Sequence, residues 1–509
     1  MGYKKLISQQ TKTAIDDGLD EAKNYVSSAQ QEYDTVKSKP IDAYIAAMDK
    51  CVSESSTAAT NANTYATNAS TAKTNATNAS TSTAAITYGD TAATAAANAN
   101  TQKANAVSAY NNAKTISNKK VNGTSMSSTV SSKFSTVTTN KDNASTYATN
   151  ADTYAKDAYS AAMDKCVSES STAATNANTY MNTAKTYATN ASTTTSSSTA
   201  KTYYDTANTA ATNAETQKTN AVSAYNNATT ISNKTVNGTS MSSTVSSKLS
   251  TVTTNKNNAE TYANKAREYA NSAYNKYEEL NAVDSALKKE TLTESEFLQI
   301  VNAGRQASMT TGVVITLPNG LGTTNQWIVA GTNHDGTTGT VDLIAKNLIY
   351  NTTADAYSTN GGKWGSSQIY RDSTIRSWLT GTYITNFSTD IQNALKTMVV
   401  KTDIDGSIAA TSDKIKLLSM TELGLDYYDW NHIPSTTEGA MYPLFNGTES
   451  TAQTKRIRYQ SDGTTKWRYC TRSRDIADNT CVCCIGASGS SSSNTYSSTN
   501  LGIVPAIRF

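Results

Sequence analysis

The side chains best suited to recognition or catalysis gather near the end of the chain. Leu425–Ile433, LDYYDWNHI, crowds Tyr427, Tyr428, Asp429, Trp430 and His432 into one loop-like stretch. Rigid aromatic rings beside polar groups give a large contact area at small entropic cost, the chemistry of a glycan or protein contact. The alternative for Trp430 and one tyrosine is packing in the core. Farther on, Gly486–Asn500, GASGSSSSNTYSSTN, is small and polar around Asn494 and Tyr496, and reads as a loop before a final strand. Tyr427, Tyr428, Asp429, Trp430, His432, Asn494 and Tyr496 are therefore the candidate ligand-binding residues.

Catalytic constellations are not legible. The two histidines have no partner motif, and His334, in Thr-Asn-His-Asp-Gly-Thr, reads as a surface turn between strands. The chain has no Gly-rich phosphate loop, no G-x-S-x-G and no H-E-x-x-H. Of the six cysteines, Cys51 and Cys166 occupy one position of a repeat. Cys470, Cys481, Cys483 and Cys484 lack the paired C-x-x-C spacing of a zinc site and read as small buried thiols in strands. No catalytic residue, metal ligand or cofactor is expected.

The elements that must carry the candidate loop begin with a duplication. Ala46–Thr60, AAMDKCVSESSTAAT, recurs as Ala161–Thr175, an offset of about 115 residues. The copied region is alanine-rich and polar, and between Pro40 and Pro318 it has no proline. Its apolar positions step by four and three: Val130, Phe134, Val137, Lys141, Ala144, Ala148, Ala151, Ala155, Ala158, Ala162, Cys166. That is a heptad seam interrupted by one lysine. The spacing predicts one helix from about Ser128 to about Thr193, roughly 100 Å at 1.5 Å per residue. Val121–Thr124 and Val236–Thr239, both Val-Asn-Gly-Thr, are turn signals in each copy. Gly89 becomes Tyr204 in the second copy, so no special backbone geometry is expected there. Tyrosines beside the seam, such as Tyr65, Tyr147, Tyr154 and Tyr262, are expected to pack.

Long helix, loop, shorter helix, turn, long helix is the connectivity of spectrin-type repeats, and the resemblance is one of architecture and not of sequence. It implies an all-α rod of tandem three-helix bundles. The expected division is a helical attachment segment over 1–45, one repeat over 46–160, a second with its lead-out helix over 161–290, and a further domain over 291–509. A parallel trimeric coiled coil is the alternative, so a homo-oligomer, as a trimer, stays open.

Bulk properties exclude several classes. A net charge of +3 over 509 residues leaves no basic footprint for nucleic acid. No apolar stretch approaches the roughly 20 residues that cross a bilayer, so no membrane insertion is expected. The N-terminal segment has lysines but no apolar h-region, so no signal peptide is expected.

After about Leu287 the period changes. Ser295–Ala303 reads as a short helix capped by Thr293 and ended by Gly304. Gly312–Leu317, Gln326–Ala330, Val341–Lys346 and Lys414–Ser419 read as strands, and Ser373–Leu379 and Thr389–Met398 as helices, an α+β pattern. The blocks Gln326–Val329, Val341–Lys346, Tyr370–Leu379, Lys414–Ser419, Trp467–Ser473 and Gly502–Ala506 resemble, in order, an uncharacterised domain family of Firmicutes surface proteins and their phages. That family is similar to C-type-lectin-like folds, including those of formylglycine-generating enzymes and phage receptor-binding proteins. Asp429-Trp430-Asn431 has the residue types of the lectin calcium motif in another order, so calcium-dependent sugar binding is not expected.

The resemblance implies a multidomain chain, an all-α spectrin-like rod followed by an α+β C-type-lectin-like domain. The function it implies is that of a bacteriophage tail fibre or receptor-binding protein, located in the virion and not an enzyme. Its partners would be a host cell-surface receptor, glycan or protein, and other virion proteins through the N-terminus. A bacterial surface adhesin is the alternative, and an enzyme of the formylglycine-generating type, using Cys481 with Cys483 or Cys484, is the disfavoured third reading.

Overall fold

The computed structural model describes residues 9–35, 41–121, 123–318, 324–349, 364, 368–427, 429–460, 462–495 and 501–509. Two compact units divide the chain: Met1–Asn190 with Thr202–Ala273, and Ala191–Lys201 with Tyr274–Phe509. The first is helical. The second holds the strands of the C-terminal region.

In the helical unit, α1 (Gln9–Thr35), α2 (Asp42–Asn78) and α3 (Ser82–Ser117) precede the hairpin of β1 (Lys120–Val121) and β2 (Thr124–Ser125). A short turn leads into α4 (Ser131–Thr193), followed by α5 (Ser197–Ser232), a second hairpin of β3 (Thr235–Val236) and β4 (Thr239–Ser240), and α6 (Ser242–Ala286); the helix residues within 191–201 and 274–286 belong to the second unit. The expected long helix is thus a single 63-residue element. In the second hairpin Asn237 and Gly238 both have positive φ, 47° and 79°, the two-residue turn that matches strand twist and favours Asn-Gly.

Alanine at the heptad positions lets three helices meet closely. Ala58 and Ala62 of α2, Ala106 of α3 and Ala144 of α4 share one core, and Ala173 and Ala177 of α4, Ala221 of α5 and Ala259 of α6 share another. Tyr147 and Tyr262 pack half-buried against these cores, and Tyr65 and Tyr154 against another cluster of the same unit. Lys141, the charge in the seam, lies over the Tyr110 ring, 4.8 Å from its centroid, and pairs with Asp142 at 2.8 Å.

Gly89 bears out the expectation of ordinary backbone geometry and shows another reason for glycine there. Its backbone is helical, but a Cβ there would lie 2.5 Å from Cδ1 of Tyr159. Tyr159 is buried and donates to Asp90 at 2.6 Å. The position therefore needs room and not conformational freedom. In the second copy Tyr204 stands in place of Gly89, and the counterpart of Tyr159, Tyr274, is 41 % exposed.

The second unit is built on a six-stranded sheet ordered β11-β17-β8-β7-β6-β5. Its members are β5 (Thr291–Thr293), β6 (Val314–Pro318), β7 (Thr324–Thr332), β8 (Val341–Ala345), β11 (Ile415–Leu417) and β17 (Pro505–Arg508). Among the described strands of this sheet, β5 and β6 pair in parallel and the other neighbours antiparallel. Between β5 and β6 lies α7 (Glu294–Asn302), whose N-terminus carries a capping box of Thr293 and Glu296, as its T-x-x-E spacing foretells. Phe509 packs edge-on against Phe297, with ring centroids 4.7 Å apart.

The expected helix over Ser373–Leu379 is present as α8 (Thr374–Trp378). That over Thr389–Met398 is shorter: α9 covers Thr389–Ala394. Met398 instead opens β9 (Met398–Ile404), which pairs with β10 (Ser407–Asp413). The turn between them, Asp405-Gly406, has φ of 50° and 89° and is a D-G hairpin signal that the helical reading overlooked. After α10 (Glu449–Arg456) come a small pair, β12 (Arg458–Tyr459) and β13 (Lys466–Trp467), and a three-stranded sheet of β14 (Tyr469–Arg474), β15 (Cys481–Ile485) and β16 (Ser491–Thr495). Part of the expected Gly486–Asn500 loop is therefore strand.

Candidate functional site

The aromatic loop is held at both ends by apolar anchors, Leu425 and Ile433, 4 % and 1 % exposed. Within it Asp426 and Asp429 bond each other reciprocally: the Asp426 amide donates to the Asp429 carboxylate at 2.8 Å, and the Asp429 amide to that of Asp426 at 3.2 Å. This is the local side-chain-to-backbone pairing that makes aspartate a turn former. It also occupies the Asp429 carboxylate with a structural bond.

His432 is fixed more firmly. Its Nδ1 lies 2.9 and 3.0 Å from the two carboxylate oxygens of Asp475. Asp475 is fully buried and also accepts from the amides of Ala477 and Asp478 at 2.9 and 3.2 Å. The His432 carbonyl accepts from the Ile476 amide at 2.9 Å, so the loop is sewn to the turn between β14 and β15. A carboxylate on Nδ1 assigns the proton to that nitrogen and leaves Nε2 as the ring's remaining polar atom. The imidazole is stacked on Trp430, centroids 4.3 Å apart and planes at 15°. Trp430 is half-buried and packs against the core, as the packing reading of it expected. Tyr427 projects outward, 40 % exposed.

The structure therefore brings Tyr427, Asp429, Trp430 and His432 together on one braced turn. Tyr428 and Tyr496 lie outside the described residues. Asn494 is described in its backbone alone, where it pairs with Val482 in the β15–β16 register. Asp475 is the residue that sequence reasoning missed. It is 43 positions from His432, and no local motif announces the pairing.

Three residues before the loop in sequence, Glu422 is the centre of a buried ionic cluster. Glu422 sits between Arg472, at 2.8 Å, and Lys416, at 2.5 Å, and all three are at most 1 % exposed. Arg472 also donates to the carbonyls of Leu417 and Lys401 at 2.7 and 2.8 Å. Burial works to raise the Glu422 carboxyl, but the Arg472 and Lys416 charges outweigh it and hold it at about 2. Nearby, Glu438 accepts from the Asp403 amide at 2.8 Å and from the Ser473 hydroxyl. Burial pushes the Glu438 carboxyl up. Asp342 receives a two-pronged bond from Arg508, 2.6 and 2.7 Å, and a third from the Tyr442 hydroxyl at 2.9 Å. These are the multiply bonded charges that burial demands.

His334 departs from its expected place on the surface. It is 5 % exposed and stacks on Tyr442 with centroids 3.8 Å apart, and burial lowers its pKa. Among the described residues, His334, Asp335 and Glu422 are the one group whose ligand atoms converge as metal ligands would. Glu422 is already neutralised by two buried cations, whose charges would repel a metal ion. The cluster is better suited to holding β11 and β14 together than to binding a metal.

The cysteines are buried free thiols, as their sequence context implied. Burial pushes the Cys470 thiol up to about 12 and the Cys484 thiol well above its ordinary value. Cys481 is also raised, through burial and its bond to Asp478 at 3.2 Å. Thiols held protonated in this way are poor nucleophiles.

No curated protein and no solved structure matches the chain. Residues 339–508, from just before β8 to the end of β17 and including the whole aromatic loop, match the family described as "Domain of unknown function (DUF6273)". The C-terminal region of the chain is thus a DUF6273 domain.

Proposed function

We propose that the chain is a structural appendage of a bacteriophage virion, a tail fibre or receptor-binding protein. In this reading the repeated helices are a spacer, and the C-terminal domain, read as C-type-lectin-like from its ordered sequence blocks, binds a host surface glycan or protein. The observation that carries the proposal is the braced aromatic loop. Tyr427 is exposed, and Trp430 is stacked on a histidine that a buried carboxylate fixes in place. Aromatic groups held rigid before the ligand arrives lose little entropy on binding. The absence of an activated nucleophile among the described cysteines favours binding over a formylglycine-generating type of chemistry.

The experiment is a binding screen of the purified full chain against a panel of bacterial cells and a bacterial glycan array. A paired Tyr427→Ala Trp430→Ala variant should lose at least about tenfold in affinity for whatever surface is captured, the loss of roughly 1.4 kcal/mol or more that removal of an aromatic anchor brings. Capture unchanged by the paired substitution would overturn the proposal.

A further inference from the structure

The cysteines of the strand-rich unit differ in what they face. Cys470 of β14 and Cys484 of β15 are direct cross-strand partners in the antiparallel register, next to the pair of Tyr469 and Ile485. The Cys470 amide is committed to the Gly502 carbonyl, at 3.1 Å, rather than to β15. The two cysteines therefore form a non-hydrogen-bonded pair of the ladder. Directly opposed residues of that class point to the same face of the sheet, with Cα atoms about 4.5 Å apart. That separation lies within the range of about 4.4–6.8 Å that a disulfide spans.

The other thiols are placed less well. Cys483 and Cys484 are adjacent on one strand and point to opposite faces. Cys481 and Cys483 share a face but stand two residues apart along β15, which separates their Cβ atoms by about 6.6 Å, against the roughly 3.5–4.5 Å of a disulfide. Cys51 and Cys166 are buried in separate clusters of the helical unit.

Cys470 and Cys484 are each 1 % exposed and belong to one core. Their thiols donate to carbonyls, Cys470 to Gly502 at 3.4 Å and Cys484 to Val482 at 3.3 Å. Such bonds are weak and cost little to give up. Burial first, and then the neighbouring Cys470 thiol, push the Cys484 thiol up. The pair is thus aligned for a bond yet inert while the sheet stays closed. β14 also has a bulge between Cys470 and Arg474. The cysteine pair lies on one side of that bulge, and Asp475 and Ile476, which hold His432, lie beyond the other.

We infer that Cys470 and Cys484 are a disulfide-forming pair that locks β14 to β15 when the protein meets a small-molecule disulfide such as oxidised glutathione. The exchange takes place when the two strands part, because the closed sheet shields both thiols and keeps them protonated. The Cys470 thiolate attacks one sulfur of the oxidant, forming a mixed disulfide and releasing one small thiol. The Cys484 thiolate then attacks the Cys470 sulfur, closing the protein disulfide and expelling the second small thiol. Two protein thiols are oxidised, one small disulfide is reduced, and the two thiol protons pass to the departing thiolates. The bond closes the chain from Cys470 to Cys484 into a loop and so restrains the turn that carries Asp475. It forms whatever the aromatic loop binds.

The test is made on the full chain, unfolded in urea and refolded in a buffer of oxidised and reduced glutathione, with a fully reduced sample in parallel. Two of the six thiols should be lost, the intact mass should fall by two hydrogens, and digestion should give a reductant-sensitive peptide joining Cys470 to Cys484. Native chain kept in the same buffer without urea should reach the same product more slowly. By tryptophan fluorescence the linked form should unfold at a higher urea concentration than the reduced form, and reductant should remove the difference. Cys481→Ala Cys483→Ala should still form the link, whereas Cys484→Ala should form none. Six thiols retained after refolding in the oxidising buffer would overturn the inference. So would glutathione left attached to Cys470 or Cys484, or a link through Cys481 or Cys483 in the parent chain. A linked form that unfolds at the same urea concentration as the reduced chain would overturn the locking role.

Discussion

The helical unit and the strand-rich unit satisfy their polar groups by opposite means. In the helices, threonine after threonine returns its hydroxyl to the carbonyl one turn back, as Thr64 does to Thr60 at 3.1 Å and Thr179 to Thr175 at 3.1 Å. The core between the helices is mostly alanine, and these hydroxyl bonds stay within one helix, while a smaller set, such as Tyr159 to Asp90 and Lys73 to Asp157, crosses between helices. In the strand-rich unit several buried carboxylates pair with arginines remote in sequence: Asp342 with Arg508, Glu422 with Arg472, Asp413 with Arg376. Local satisfaction makes a unit that can be copied whole. Remote satisfaction makes a fold in which one side chain can undo several others.

The largest expected effect follows from that contrast. Glu422→Gln leaves Arg472 and Lys416 buried without a counter-charge and should cost the strand-rich unit about 3–5 kcal/mol. All five tryptophans, from Trp327 to Trp467, lie in this unit, so tryptophan fluorescence during denaturant unfolding reads it alone. Far-ultraviolet circular dichroism reads mainly the helices. Loss in the helical transition instead would break the comparison.

Acid should reach the same group. The Glu422 carboxyl is held at about 2 when folded, against an ordinary value of 4.5. Its contribution, on the order of 3 kcal/mol, is therefore complete above about pH 4.5 and is lost as pH falls towards 2. Glu438, raised by burial, has the opposite sign: the folded state favours its protonated form, so its contribution fades as pH rises above the ordinary carboxyl range. Tryptophan fluorescence titrated from pH 6 to pH 2 should show the strand-rich unit losing stability in the lower half of that range, and Glu422→Gln should flatten the loss.

In the helical unit effects should be smaller. Gly89→Ala gains about 1 kcal/mol of helix propensity but drives a methyl into the buried Tyr159 ring, and overpacking of this kind costs about 1–3 kcal/mol. A net loss of about 1 kcal/mol should appear in the helical transition, and a gain would mean that Tyr159 can move aside. Smallest of all, Lys234→Ala removes a pair whose aspartate side chain is 45 % exposed and should cost less than about 1 kcal/mol.

The same contrast explains what the sequence made legible. A heptad seam is local, so the run from Val130 to Cys166 marked both the long helix and its buried face. The Val-Asn-Gly-Thr turns were legible for the same reason. Gly89 was only half-legible: its substitution by Tyr204 correctly excluded a special φ, but the approach of Tyr159 comes from another helix. In the strand-rich unit the burial of His334 depends on Tyr442, more than a hundred residues away, and the bracing of His432 depends on Asp475. Neither partner lies within a motif. The aromatic composition of Leu425–Ile433 identified the candidate loop, while what holds it still came only from the fold.

The central functional claim is that the strand-rich domain binds through that loop. Hydrogen–deuterium exchange of the full chain, with and without the surface polymer extracted from a captured bacterial strain, tests it most directly. The account predicts added protection over residues 425–433 and over the 475–478 turn that braces them. Protection elsewhere in the domain, with these two segments unchanged, would contradict it.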